Sequence, residues 1–551
     1  MEDTRNQMKP IPWAKPYSYR PEIDGIRAFA VTAVIINHFN KELLPSGYLG
    51  VDIFFVISGF VITSSLAGRP HQSFRDFLLG FYTRRIKRLV PALVLFVLVT
   101  SVLICFFNPS PYPSLITGIT ALFGLSNLYL LRQSTDYFAA STELNVFTHT
   151  WSLGVEEQFY FLFPFLVWFT GFGRLATKGA RNLFWVMGVL LLASLIAFVY
   201  SYKTNQSTAY FLMPTRLWEL GAGCLLFLGL KHSNSFFHTL EKMPPLIVTG
   251  AVVAILFVPL QFAVQATVVV VVLTVVLITC LRSGTAAYNL FTHPRVVYIG
   301  LISYSLYLWH WGVLSLSRWT IGIHWWSVPF QVALMLLLSI VSYRYVETPL
   351  RRLDWSANRW KSIGYGIGTS ATTAVLIFSL AKIPNLSLYT GRNPALIALG
   401  VSSLTDTYSL KEVNSLWVGS KCVLSDNSQV GKKISVEDCT LGNFSNAKKR
   451  VMIVGNSFAA AFIQAFDDLV VSDEYSVTLI SAFGASPIKE IPNEGSWNQA
   501  NNYYWDSVVP SLINRLRPGD WMFLINDMAE FSPKYRTSET DERLKQLESG
   551  L

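Results

Sequence analysis

"YRPEIDGIRAFAVTAVIINHFN", residues 19–40, decides how the chain is read. From Ile26 to Phe39 it is the apolar run of a membrane helix, yet Arg27 stands at its mouth and His38 near its far end. At about 100° and 1.5 Å per residue, eleven positions return the two side chains to nearly one helix face, about 16 Å apart along the axis. A lone Arg can snorkel to headgroups, and a lone His can be satisfied in packing. Here, however, further ionisable residues recur in apolar surroundings: Asp52 in "GVDIFFVISGF", Glu156 and Glu157 in "THTWSLGVEEQFYFLFP", Arg216 and Glu219 in "TRLWELGAG", and His310 in "SYSLYLWHW". Each would be costly against lipid, so most are expected to face a common polar interior.

Outward from that segment, the composition agrees. Of 551 residues, 52% are apolar and 14% charged, against roughly 25% charged in soluble domains. The net charge of +10 does not call for nucleic acid, because Lys and Arg gather in short segments beside apolar runs, as the positive-inside bias requires. The polar first 24 residues lack the apolar core of a secretory signal, which places the N-terminus in the cytoplasm. Twelve apolar stretches lie between residues 25 and 381. The weakest, 115–131, is short and follows "NPSPYPS"; dropping it puts "GRPHQSFRDFLLGFYTRRIKRL", "GRLATKGAR", "KHSNSFFHTLEK", Arg282 to Arg295 and "RRLDWSANRWK" on the cytoplasmic side. The expected fold is a multi-pass α-helical membrane protein of about eleven transmembrane helices with a C-terminal α/β domain outside. Its parts are a cytoplasmic segment (1–24), a membrane domain of ten spans (25–346), a cytoplasmic loop with the eleventh span (347–381), a linking region (382–445) and the outer domain (446–551).

Cys105, Cys224 and Cys280 fall within apolar runs, whereas Cys422 and Cys439 lie in the polar tail, where two nearby cysteines in an oxidising compartment are a disulfide candidate. After the linking region, "KKRVMIVGNSFAAAFIQAF" has the pattern of a strand, a tight turn and a helix, with Ser457 at the turn beside the helix N-terminus. "YSVTLISAFGASP" and "GDWMFLINDMAEF" add strand-like runs, so a small doubly wound domain is expected.

Polar interiors serve proton-coupled transporters as well as enzymes, and the residue strings themselves separate the two. "YRPEIDGIRA", "GYLGVDIFFVISGFVIT", "FYTRRIKRLVPAL", "FTHTWSLGVEEQFYFLFP", "TRLWELGAG", "ISYSLYLWHW" and "VETPLRR", in this order, resemble the membrane acyltransferase-3 family, in the O-antigen O-acetyltransferase-like subgroup with a fused SGNH-type domain. The resemblance implies a bacterial inner-membrane enzyme with its C-terminal domain in the periplasm. It would move an acetyl group from cytoplasmic acetyl-CoA, the acyl donor and co-substrate, with no metal, to a hydroxyl of an envelope glycan such as lipopolysaccharide O-antigen. Arg27 with Arg84, Arg85 and Arg88 would meet the phosphates of CoA. His38 would be the general base, with Glu156 or Glu157 orienting its ring. Asp52 and His310 are further candidates. In the tail, Ser457 matches the nucleophile block of an SGNH hydrolase, Gly484 the glycine block and Asn526 the asparagine block. The last histidine of the chain is His324, so Ser457 has no histidine in its own domain. Either the domain stops short of a complete one or it is a degenerate binding module, and no hydrolytic activity is assigned to it. Whether the acetyl group rests on Ser457 on its way stays open. The competing readings are a proton-coupled transporter of acyl or glycan species and a non-catalytic envelope-binding protein.

Overall fold

The computed structural model describes residues 19–67, 73–108, 110–133, 140–231, 239–382, 388–390, 422–456, 459, 474–483 and 498–525. The chain divides into two units, Met1–Thr390 and Gly391–Leu551.

The first unit is helical. It runs through α1 (Pro21–Phe39), α2 (Gly50–Leu66), α3 (Phe74–Phe107), α4 (Tyr112–Ala121), α5 (Ser126–Arg132), α6 (Thr150–Phe169), α7 (Gly179–Thr204), α8 (Gln206–Phe211) and α9 (Met213–Lys231). It continues through α10 (Pro245–Ile255), α11 (Ala263–Cys280), α12 (Ala286–Phe291), α13 (Pro294–Leu301), α14 (Ser303–Trp319), α15 (Val328–Val341), α16 (Thr348–Arg352) and α17 (Arg359–Ala381). Among the described residues, six helices are long and apolar enough to cross a membrane, and α13 with α14, bent by 69°, makes a seventh if taken as one span. The outward face of α7 shows why such a surface needs lipid. Trp185, Val189, Leu192, Ile196 and Tyr200 form an exposed apolar stripe at helical spacing, the inverse of a water-soluble helix.

Two local features depart from simple hydropathy. The basic segment before residue 89 is helix, continuous with the apolar run that follows it: α3 starts at Phe74, where the Ser73 hydroxyl accepts from the Asp76 N–H (3.2 Å), and runs for 34 residues, about 51 Å. Nothing in "FRDFLLGFYTRRIKRL" breaks a helix, so its charges mark a change of surroundings rather than of backbone. The stretch 115–131 is two short helices, α4 and α5, parted at Gly124 (φ +66°), and neither is long enough to span.

α2 and α9 pack with almost no gap. A Cβ on Gly59 would lie 1.9 Å from the Leu220 carbonyl oxygen, and one on Gly223 would lie 1.9 Å from that of Val56. That approach brings Asp52 to Arg216 (3.1 Å), while Arg216 also pairs with Glu219 one turn away (2.7 Å), the i, i+3 pairing its spacing suggests. All three are fully buried, and the guanidinium lies within 6 Å of the rings of Phe55, Trp151, Phe198 and Tyr210.

The second unit is α/β. Strands β1 (Val423–Leu424), β2 (Thr440–Leu441), β3 (Lys449–Gly455), β4 (Tyr475–Ala482) and β5 (Trp521–Ile525) form one sheet of order β1-β4-β3-β5, parallel throughout, with β2 antiparallel to β4. Both faces are covered, as a parallel sheet requires: Met452 and Val454 pack on one side, Val451 and Ile453 on the other. Two short helices, α18 (Asn498–Tyr503) and α19 (Val509–Ile513), follow β4. The Tyr504 hydroxyl between them donates to the Ile480 carbonyl (2.8 Å) and accepts from the Gly455 N–H (2.9 Å), fixing this segment to the sheet. Cys422 and Cys439 are joined in a disulfide, as their spacing suggests.

Candidate active site

α1, α2, α3, α6 and α14 line an open cavity of about 80 Å³. Arg27, Arg85, Arg88 and Glu156 are the charged groups on its wall, joined by Ser58, Ser152, Tyr160, Tyr304 and Tyr307. Arg85 and Arg88 share a face of α3 because they are three residues apart. Arg84 points elsewhere: it lies near Gly80 and Arg359 and is not among the lining residues. Arg27 is held by Asp24 on its own helix (3.2 Å), and the Tyr19 hydroxyl donates to that carboxylate (2.8 Å). Tyr160 donates a hydrogen bond to Glu156, and its ring lies 4.4 Å beneath the Arg85 guanidinium. Three fixed cations against one lining carboxylate make the cavity receptive to an anionic ligand.

Beside the cavity the histidines gather. His38 Nδ1 lies 3.1 Å from His310 Nε2, with the two rings nearly coplanar at 4°. His149 packs against His310 with ring centres 5.7 Å apart, and Trp311 lies across His38 at 4.7 Å. The guanidinium of Arg318 donates to the His38 carbonyl (2.9 Å) and pairs with Glu143 (2.8 Å), which also holds Lys41 (2.7 Å). Tyr307 joins the two regions. It lines the cavity, meets Ser152 at 2.7 Å, and packs against both His310 (5.3 Å) and His149 (5.4 Å).

The structure thus brings together Arg27, Arg85, Arg88 and Glu156 in one chamber and His38 with His310 beside it. Glu156 or Glu157 was expected beside the His38 ring, but its Nδ1 meets His310, because α14 crosses α1 there while α6 turns Glu156 toward Tyr160 and Arg85. Glu157 points about a quarter-turn away into a neighbouring apolar groove, with Gln158 and Phe161. Asp52 belongs to the buried Arg216 triad and not to the cavity wall. Ser457, Gly484 and Asn526 lie outside the described residues. The turn that leads to Ser457 is described as far as Asn456: β3 ends at Gly455 (φ +149°), a conformation open to glycine. β3 is also the strand with β4 on one side and β5 on the other, so the strand order reverses at its carboxyl end, the usual place for a ligand crevice in such sheets.

Residue-by-residue reading overlooked His149, Tyr160, Tyr307 and Glu347. His149 and Tyr160 sit inside the quoted "FTHTWSLGVEEQFYFLFP", and Glu347 inside "VETPLRR". Glu347 closes a π-helical turn, Ser342–Glu347, and accepts from the buried Ser305 hydroxyl (3.1 Å); such turns inside helices often mark functional positions.

Comparison with known proteins gives two useful relatives, both from Staphylococcus aureus. A putative O-acetyltransferase of strain MRSA252 is 32% identical over 386 residues, 65% of this chain and 61% of its own length. The O-acetyltransferase OatA of strain NCTC 8325 / PS 47 is 32% identical over 408 residues, 69% of this chain and 65% of its own length. The chain therefore spans somewhat less than two thirds of the curated relatives it matches. No solved structure matches it. Residues 20–344, more than half of the chain and containing every residue of the cavity and the histidine cluster, match the model of the acyltransferase domain family, and the chain belongs to that family.

Proposed function

We propose that the chain is a membrane O-acetyltransferase that moves an acetyl group from cytoplasmic acetyl-CoA to a hydroxyl of an extracytoplasmic glycan, with lipopolysaccharide O-antigen the first acceptor to try. The observation that carries this reading is the wall shared through Tyr307 between an arginine-lined cavity and the His38–His310 pair. In it the phosphates of CoA meet Arg27, Arg85 and Arg88, and the thioester end extends toward His38. His38 takes the proton of the acceptor hydroxyl as that oxygen attacks the thioester carbonyl; the C–S bond breaks and the CoA thiolate leaves, to be reprotonated. Glu156 acts on the donor side of the site, holding Tyr160 and balancing the arginines.

The chain lies in the bacterial inner membrane with its N-terminus in the cytoplasm and about eleven crossings, and its second unit is an SGNH-like domain in the periplasm. Support comes from the basic segments between apolar runs, from the Cys422–Cys439 bond, which persists in oxidising compartments, and from the parallel sheet with its strand-order reversal at the turn before Ser457. The same buried charges would suit a transporter, but the names of the relatives speak for transfer.

The test is release of CoA thiol by membranes containing the chain, measured together with acetyl esters on added glycan. Equal amounts of both are expected for transfer. Glycan movement without thiol release would select the transporter instead.

A further inference from the structure

The His38–His310 contact fixes more than a position; it fixes where the protons are. His310 Nδ1 lies 3.2 Å from the carbonyl oxygen of Leu306, one turn back on α14. A carbonyl oxygen has no proton to give, so that approach is attractive only when Nδ1 carries the hydrogen. The neutral His310 ring then has a bare Nε2, which can only accept. That nitrogen is 3.1 Å from His38 Nδ1, so His38 must in turn carry its hydrogen on Nδ1 and hold its lone pair on Nε2. One backbone carbonyl thus sets two tautomers in sequence.

On the reading of His38 as the general base, we propose that His310 is its positioning residue, an imidazole in the place that a carboxylate usually takes behind a catalytic histidine. It holds the His38 ring in the plane of the contact and keeps Nε2 bare. When Nε2 takes the hydroxyl proton, His38 becomes an imidazolium whose Nδ1–H still donates to His310, and the charge is shared across the two rings. The proton leaves again from Nε2 to the departing thiolate or to water, so the pair returns to its starting state with every proton accounted for. The groups facing the pair are consistent with a single shared charge. The Trp311 ring lies across His38, His149 and Tyr307 pack against His310, and the Arg318 and Lys41 charges are tied to Glu143.

The test uses the full chain in membranes or micelles, with ¹⁵N-labelled histidine and the two signals assigned by His38→Gln and His310→Gln. At mildly alkaline pH both rings are expected as Nδ1–H tautomers, the minor form of free histidine. His310→Leu, which removes the acceptor, should return His38 to the Nε2–H form and slow acetyl transfer by about a hundredfold. His310→Gln, which can place an amide oxygen near the former Nε2, should keep the Nδ1–H form of His38, and recover the rate to within about tenfold of wild type. Its pH–rate profile should differ from wild type, because an amide cannot share the proton. A wild-type His38 found with its hydrogen on Nε2, or equal rates and profiles for the Leu and Gln variants, would overturn the proposal. The tautomers are read without any reaction, so a pair with the expected protons but no transfer in any variant would count against the proposed function and not against this pairing.

Discussion

Arg216 Nη2 stands 3.1 Å from Asp52 Oδ1 between α9 and α2, both side chains shut off from solvent, with Glu219 completing the triad. Arg216 is the cation that both carboxylates share, and removing it strands two buried carboxylates, at a cost of about 3–5 kcal/mol. Arg216→Leu should therefore lower the thermal midpoint in micelles sharply. The acetyl-transfer rate per folded molecule should stay close to wild type, because the triad lies off the cavity wall. A normal midpoint with lost transfer would place the triad in the chemistry instead.

The packing that forms this triad makes its own prediction. Gly223→Val puts side-chain atoms where the Val56 carbonyl already is and should destabilise by about 3 kcal/mol or more. Gly250→Val on α10 meets nothing within 4 Å and should change stability by less than about 0.5 kcal/mol. Comparing the thermal midpoints of the two variants checks the close approach of α2 and α9.

Arg27 and Arg88 are assigned to the phosphates of the donor. Arg27→Ala and Arg88→Ala should each raise KM for acetyl-CoA about tenfold, roughly 1.4 kcal/mol, with a smaller change in kcat. With a short acetyl thioester that lacks phosphates, both variants should match wild type. An equal loss with both donors would mean that the arginines serve the reacting centre.

The Cys422–Cys439 bond closes a loop of 17 residues in the second unit, which corresponds to about 3 kcal/mol of stabilisation. Replacing both cysteines by Ser should speed tryptic cleavage of the second unit and leave the thermal midpoint of the first unchanged. Unchanged cleavage would mean that the sheet is held without the bond.

Much of this was legible in residue order because it is local. The apolar runs foretell helices, Arg216 and Glu219 pair at a helical spacing, and "KKRVMIVG" reads as a strand because β3 is buried on both faces. The rest depends on contacts distant in sequence. His38 and His310 are 272 residues apart, and no periodicity in either helix announces the other. His149 went unread for the same reason: a histidine before a Thr-Trp-Ser run gives no sign of the ring it will touch. The charges before Leu89 mark the membrane side and not the end of the helix, which their residue types do not break: Arg, Leu and Phe after a Ser cap continue a helix readily.

The most direct measurement is transfer of label from radiolabelled acetyl-CoA to envelope glycan in membranes holding equal amounts of wild-type chain, His38→Ala and Ser457→Ala. Loss of label with His38→Ala and its retention with Ser457→Ala is the expected result, and it would place the chemistry in the helical unit. Normal labelling with His38→Ala would contradict the assignment of His38 as the base.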